Sequence, residues 1–589
     1  MVYSRQQQWR FLEDELKAEV KEFDDKLKTS ASCLMEKGEV FTAQFLSFSE
    51  KGEMRVRFAS SRPIPRKGEY LYCMTLHKEL RNHKNWGDRT YGDLIKDKTN
   101  QTEAICNWTY PSDDPRFVLA GFVGIDNEFA EWIAEVPKVV LVMGPNRPPY
   151  EYIANLQQLT RYDTSPSLNS VLDADYMPSD MNPVLLSNKH DIPLFLQTQL
   201  ELTDSIILQG PPGTGKTFQI SQLVANLCSE GYSVLVTSLT NRALMEIAKK
   251  ESMSEMLKAG KVYKTKITTD ERKEIPLLQL EKAVAPKEGC AILSTFYITS
   301  GVAVGTNTES SFDYVIMDEA SQALLPMIGA ARMLGAKSLL VGDIKQLPPV
   351  VQMKESKIRE HNYLGLVEGL RTITGRTMCP TYQLTESYRL TNRGAMYTGL
   401  FYGDTLASCS DAQKVESLGA FFLCNDGGPT LLKTDMEIGN LRDQALLNFT
   451  LSVVAYIHQQ DKKCEIAVLT CMKDTVRALQ SAISAHIHSS KILIDTVSRV
   501  QGLTTDICVY VVPNTHYLRT LEPRLFNVAT SRARRHTIII ADKEILGYTR
   551  MNADVRRYLE KLDKECSFYI PYNKGQKNLQ MNNNINFLE

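Results

Sequence analysis

The stretch "IILQGPPGTGKTF" (206–218) brings together the residue types that phosphate chemistry requires. An apolar run enters a tight turn in which Gly210, Gly213 and Gly215 occupy the points where a side chain would collide with phosphate oxygens. Backbone N–H groups of the turn and the N-terminus of the helix after it would surround an anion. Gly210, Pro211, Pro212, Gly213, Thr214, Gly215, Lys216 and Thr217 are therefore the expected cradle for ATP. Lys216 is placed for the β- and γ-phosphates, and Thr217 for Mg2+. A Gly-rich structural turn is the plainer alternative, but the strand before and the helix after argue against it.

Holding a nucleotide is not hydrolysing it. Hydrolysis needs a second metal anchor and a group that takes a proton from water. "FDYVIMDEASQ" (312–322) offers both at the end of an apolar strand, with Asp318 for the metal and Glu319 as base. A second buried strand, "SLLVGDIKQLPPV" (338–350), ends near Gln346, whose amide is suited to sense the γ-phosphate.

GPPGTGKT, DEAS and GDxxQLPP, in that order, resemble motifs I, II and III of superfamily 1 helicases. The Pro-Pro and the form of motif III resemble the branch that includes the nonsense-decay helicases. The resemblance implies arginines from a second RecA-like domain. "LTESYRL" (384–390) then supplies Tyr388 to stack on adenine and Arg389 for the γ-phosphate. "IDTVSRVQGLTTD" (494–506) is similar to motif V through Thr496, Val497, Gln501, Gly502 and Asp506, and "RLFNVATSRARR" (524–535) to motif VI, with Arg532 as second finger. Two acidic positions of motif V are missing, Ser498 and Thr504 standing in their places. By the same resemblance Thr237, Ser238, Asn241 and Thr295, with Thr496, are candidate contacts to a nucleic-acid strand; strand-end capping is the alternative for each. Lys78, Arg81, Lys84 and Arg89 interleave with Trp86 and Tyr91, which suits a single strand and its bases, although a solvated loop is the plainer reading.

These residues need scaffolds. At ~100–200 residues per domain, a chain of 589 residues implies several domains. The net charge of −1 gives no global electrostatic footprint for nucleic acid, though local basic strips can bind phosphate in a neutral chain. The 12 cysteines include no CxxC pair, which leaves a zinc site little support. No apolar run approaches the ~20 residues of a membrane span, and the N-terminus has no signal-peptide pattern, so a soluble cytoplasmic protein, monomeric, is expected.

Trp9, Leu12, Leu16, Val20, Phe23 and Leu27 recur at helical spacing and predict one buried stripe. Alternating runs at 40–58, 69–74, 116–124 and 137–144 predict strands of a small β-barrel. The expected organisation is a stalk helix (1–30), a barrel (31–148), a returning helix and linker (149–190), RecA-like domains at 191–372 and 373–572, and a low-complexity tail (573–589). The fold class is α/β: two P-loop-type RecA-like domains with parallel sheets, plus the stalk and barrel. The function this implies is an ATP-dependent helicase or translocase moving 5′→3′ on single-stranded RNA or DNA. One alternative is a nucleic-acid-stimulated ATPase that remodels nucleoprotein with protein partners of a larger system. Another is a catalytically silent, ATP-gated binding module, which Glu319 and the two arginines count against.

Overall fold

The computed structural model describes residues 3–571 except 77–84, 137–138, 164, 175–181, 188–190, 306–311, 375–378, 410–419, 485, 488, 490 and 501. Lys78, Arg81, Lys84, Gln501 and the tail 573–589 lie outside the described residues. Among those described, no helix is long and apolar enough to cross a membrane.

Ser4 caps the first helix by accepting the N–H of Gln7 at 3.1 Å, and the helix runs Arg5–Leu27. Its buried face is Gln8, Phe11, Leu12, Glu15 and Phe23, while Val20 of the predicted stripe is 37% exposed. The difference has a local cause. The first half of the helix lies against the first α/β domain, with Phe11 edge-on to Tyr363 at 5.3 Å, and there polar side chains satisfy backbone groups. Gln8, for example, donates to the carbonyls of Tyr3 and Leu172.

Beyond the helix, six strands close into a barrel in the order Phe41–Phe48, Met54–Ala59, Phe117–Val123, Lys98–Pro111, Tyr70–Leu76, Val140–Gly144. Every neighbouring pair is antiparallel, and Gly52 at φ +79° makes the first hairpin turn that Lys51-Gly52 announced. Phe41, Val56, Phe58, Phe122 and Leu141 fill the interior. The long strand Lys98–Pro111 was not foreseen from the sequence because its first half, "KTNQTE", is polar on both faces. Tyr91 is fully buried and its hydroxyl donates to the Pro145 carbonyl at 3.1 Å, so it packs the barrel and offers no face to a base.

The first α/β domain is a nine-stranded parallel sheet, ordered Gln279–Leu280, Val262–Lys264, Ala291–Thr295, Val234–Ser238, Phe312–Met317, Gly335–Gly342, Ser205–Gln209, Thr381–Leu384, Val184–Leu186. Helices cover both faces, which is why its central strands read as unbroken apolar runs. Two expected boundaries move. The 149–190 segment holds a second helix, Pro166–Leu172, seated on Gly329, and contributes the edge strand Val184–Leu186. Thr381–Leu384, expected after 373 in the second domain, pairs with Ser205–Gln209 in the first. A short apolar strand carries no local mark of which sheet it will join. The second domain is a six-stranded parallel sheet, ordered Ile492–Thr496, Ile466–Thr470, Thr505–Val511, Ala533–Asp542, Gly428–Thr434, Ser567–Tyr569.

Candidate active site

The parallel register puts the expected first-domain groups on one edge. Gly342 pairs with Gln209, and Met317 with both Leu340 and Thr237, so the turn after Gln209 and the carboxylates Asp318 and Asp343 leave the sheet side by side. Ligands of open α/β sheets collect at this carboxyl edge. Gly213 (φ +77°) and Gly215 (φ +80°) take left-handed backbone, and Gly215 opens the helix Lys216–Ser229. The Thr214 hydroxyl donates to the Pro211 carbonyl at 2.8 Å, and Lys216 Nζ donates to the Gly210 carbonyl at 2.6 Å. The lysine thus folds over the turn it is expected to serve, and Thr217 sits in the first turn of the helix.

Asp318 is 3% exposed, and its carboxyl is pushed up to about 7 by burial and then by Glu319, with Lys216 pulling the other way. A buried carboxylate oxygen and the hydroxyl of Thr217, in the first turn of the helix Lys216–Ser229, are hard donors of the kind a divalent cation such as Mg2+ takes. Glu319 stands at φ 55°, ψ 34°, a left-handed conformation that a side chain adopts at a cost of about 1–3 kcal/mol. Its N–H donates to Asp318 Oδ1 at 2.9 Å.

Tyr388 and Arg389 reach the same turn from the neighbouring strand Thr381–Leu384 of this sheet, not from the second domain's sheet as the resemblance implied. Tyr388 N–H donates to the Gly213 carbonyl at 2.9 Å, and Ser387 Oγ to that of Pro212 at 2.9 Å. A Cβ at Gly213 would lie 2.5 Å from Arg389 Cβ, so the glycine is required by close approach as well as by φ. The Tyr388 ring lies beside Gly215, and the residue is 51% exposed.

Arg532, 1% exposed, donates from Nε to the Val528 carbonyl (2.8 Å), from Nη1 to that of Leu503 (3.3 Å) and from Nη2 to Gln346 Oε1 (3.4 Å). Arg389 Nη1 donates to the Ser531 carbonyl at 3.3 Å. Among the described residues both guanidiniums donate to neutral acceptors. Burial, then Arg532 and Arg534, pull the Arg389 guanidinium down to about 9, still well above neutrality. The two arginines lie close enough to repel each other, with Arg389 against the phosphate turn and Arg532 on Gln346, and an anion between them would relieve the repulsion.

The residues that join the domains were assigned no role from the sequence. Asp343, 2% exposed, accepts from Gln209 Nε2 (2.7 Å), Lys345 N–H (3.0 Å), Gln346 Nε2 (2.8 Å) and Tyr402 Oη (2.7 Å). It therefore fixes the sensor Gln346. Tyr402 belongs to the second domain's core, and its oxygen accepts from Asn527 Nδ2 at 2.8 Å, which also donates to the Lys345 carbonyl at 3.0 Å. Nearby, Arg524 grips Glu368 with two bonds of 2.7 Å. Asp343 was visible as a strand-end carboxylate in "GDIKQ"; Tyr402 and Asn527 carry no such signal.

The expected strand contacts fare unevenly. Thr237 and Ser238 are fully buried, and the Thr237 hydroxyl lies 2.8 Å from that of Thr299. Thr295 is 7% and Thr496 8% exposed, and Thr496 N–H donates to Asp495 Oδ1 at 2.7 Å. The strands that end at Ser238 and Thr295 are buried along their whole length, which encloses the Thr237 and Ser238 hydroxyls. Asn241, partly exposed, opens the helix Asn241–Ala248 behind its cap Thr240. Gly502 takes φ +79° in the turn after Thr496.

Two models described as an AAA domain match the chain, at residues 197–352 and 371–544. The DNA replication ATP-dependent helicase/nuclease DNA2 of Saccharomyces cerevisiae is 26% identical over 386 residues, which is 58% of this chain and 25% of that protein. JHS1 of Arabidopsis thaliana, of the same description, is 27% identical over 387 residues, 59% of this chain and 28% of its own. The chain thus spans about a quarter of the length of these relatives. Among solved structures, the Arterivirus nonstructural protein 10 (helicase) is 12% identical, covers 80% of this chain and 77% of its own, and superposes with a TM-score of 0.35. The tandem AAA matches and the helicase/nuclease relatives support a superfamily 1 helicase core within residues 197–544.

Proposed function

We propose that the protein is an ATP hydrolase that moves along a single nucleic-acid strand and unwinds duplexes, with 5′→3′ polarity as its motif I resembles that of the nonsense-decay branch. The observation that carries this reading is that Arg389 packs against the turn that holds Lys216 while Arg532, from the second domain, reaches the sensor Gln346, and among the described residues neither guanidinium hydrogen-bonds a carboxylate. Lys216 and the loop amides hold the triphosphate, and Tyr388 stacks on the base. Thr217 and Asp318 would hold Mg2+, which when bound would neutralise phosphate charge. Glu319 takes the proton of the attacking water, Gln346 senses the γ-phosphate, and the two arginines meet its charge. Loss of that phosphate removes the anion shared by the two domains, so each turnover changes their separation.

The strand itself is RNA or DNA. The relatives are named for DNA replication, which makes DNA the first polymer to test. ATP turnover titrated with matched DNA and RNA oligomers, followed by unwinding of duplexes with 5′ or 3′ overhangs, tests the proposal. Stimulation by a single strand and unwinding from a 5′ overhang are expected; turnover indifferent to any strand would refute it. The second reading, a strand-stimulated ATPase that remodels nucleoprotein without processive unwinding, is favoured by Ser498 and Thr504 in place of acidic residues in motif V. It predicts stimulation without unwinding.

A further inference from the structure

Glu15 is a carboxylate, 1% exposed, in the middle of the first helix, and the site described above does not use it. Its Oε1 accepts the N–H of Gln352 at 2.6 Å and its Oε2 that of Met353 at 3.1 Å. No lysine or arginine neutralises it among the described residues; two main-chain amides hold it instead. Those amides lie just past Gln346, at the exit of the loop that begins with Asp343. The loop is pinned in between as well, since Gln322 Nε2 donates to the Leu347 carbonyl, and Pro348 and Pro349 stiffen the backbone beyond it. Few degrees of freedom separate the Gln346 backbone from the Glu15 carboxylate.

The other end of the same helix meets the barrel. Leu27 crowds Gly92, whose added Cβ would lie 3.0 Å from the Leu27 carbonyl oxygen, and Tyr91 N–H donates to the Thr29 carbonyl at 2.9 Å. Tyr91 in turn is fixed to Pro145, directly after the last barrel strand. A helix of 23 residues is about 35 Å long and resists bending over that span. One stiff element therefore holds the γ-phosphate sensor loop at one point and the barrel at another.

We propose that Glu15 is a positioning residue: it sets the exit of the Gln346 loop and makes the stalk helix transmit movement of that loop to the barrel. The inference rests on the proposed ATPase function. A displacement of the loop on γ-phosphate loss pulls on the Glu15 carboxylate, and the helix carries the pull to the barrel as a rigid body.

The test uses the full chain with donor and acceptor dyes on the barrel and the second α/β domain. Glu15→Gln keeps the volume and one acceptor but turns an N–H donor toward a main-chain N–H. Asp14→Asn is the comparison, because Asp14 ties the same helix to Tyr363 (3.3 Å) and Lys357 (2.8 Å) without touching the loop exit. Adding ADP with aluminium fluoride and a single strand is expected to shift the dye distance in the wild type and in Asp14→Asn. In Glu15→Gln the shift should fall by at least about half, with strand-stimulated kcat about tenfold lower and KM for ATP within about threefold. Equal losses in Glu15→Gln and Asp14→Asn, or an unchanged shift in Glu15→Gln, overturn the inference and leave the ATPase reading standing. A wild type as inactive as Lys216→Ala overturns both.

Discussion

Replacing Tyr402 by Phe removes one oxygen and keeps the ring in the second domain's core. That oxygen donates to Asp343 Oδ2 at 2.7 Å and accepts from Asn527 at 2.8 Å, so it joins the domains at the point where Gln346 is held. A hydrogen bond to a charged group is worth about 1.5–3 kcal/mol. Asp343 keeps its three other donors and Asn527 keeps the Lys345 carbonyl, so no buried charge is stranded. If the bond acts in the closed, reacting state, its loss lowers kcat by about 10- to 150-fold, a factor of ten for each ~1.4 kcal/mol. The assay is steady-state ATP turnover at saturating single strand, with kcat and KM resolved, beside a thermal melt. KM is expected within about threefold, because the phosphate turn and Tyr388 are untouched. A kcat within about twofold of wild type would refute the reasoning, as would a loss confined to KM.

Other outcomes derive from the same geometry. Gly213→Ala forces a Cβ against Arg389 and Ser387 at a φ of +77°, and should abolish turnover while the barrel and second domain stay folded by circular dichroism. Glu319→Gly releases the left-handed strain, so it should raise the melting temperature and yet remove strand-stimulated turnover. Burial, then Glu15 and Glu22, push the Glu19 carboxyl up to about 7, and its Oε2 has no hydrogen-bond partner among the described residues. A raised carboxyl binds its proton more tightly in the folded state, so the stability it allows at low pH is lost as pH rises from the ordinary carboxylate range through about 7. Glu19→Gln should therefore raise the melting temperature more at pH ~8 than at pH ~5; an equal gain at both would contradict the assignment.

What was legible in the sequence was what is local. The phosphate turn announces itself because Gly213, Gly215 and Lys216 must be close in sequence, and the strand ends before Asp318 and Asp343 because burial on both faces writes an unbroken apolar run before a polar residue. The stalk helix was legible as a helix, but not its orientation: Glu15 faces inward because two amides more than 300 residues away require an acceptor. Tyr402 and Asn527 were invisible for the same reason, as each is an ordinary core residue until the other domain is in place. Thr237 and Ser238 show the converse failure. Motif similarity placed them at a strand end, and the neighbouring Thr299 decided which way the Thr237 hydroxyl points. The strand Thr381–Leu384 was recognisable as a strand, while its sheet was fixed only by tertiary pairing.

The motor mechanism requires two domains to close over one triphosphate. Its most direct test is the strand-stimulated ATP turnover of Arg532→Ala, measured beside equilibrium binding of an ATP analogue. An arginine that acts on the transferring phosphoryl group is worth about 10³–10⁵ in kcat. Turnover lower by at least about a thousandfold, with binding weakened less than about tenfold, is the expected result. Turnover close to wild type would show that hydrolysis proceeds without the second domain, and the motor reading would go with it.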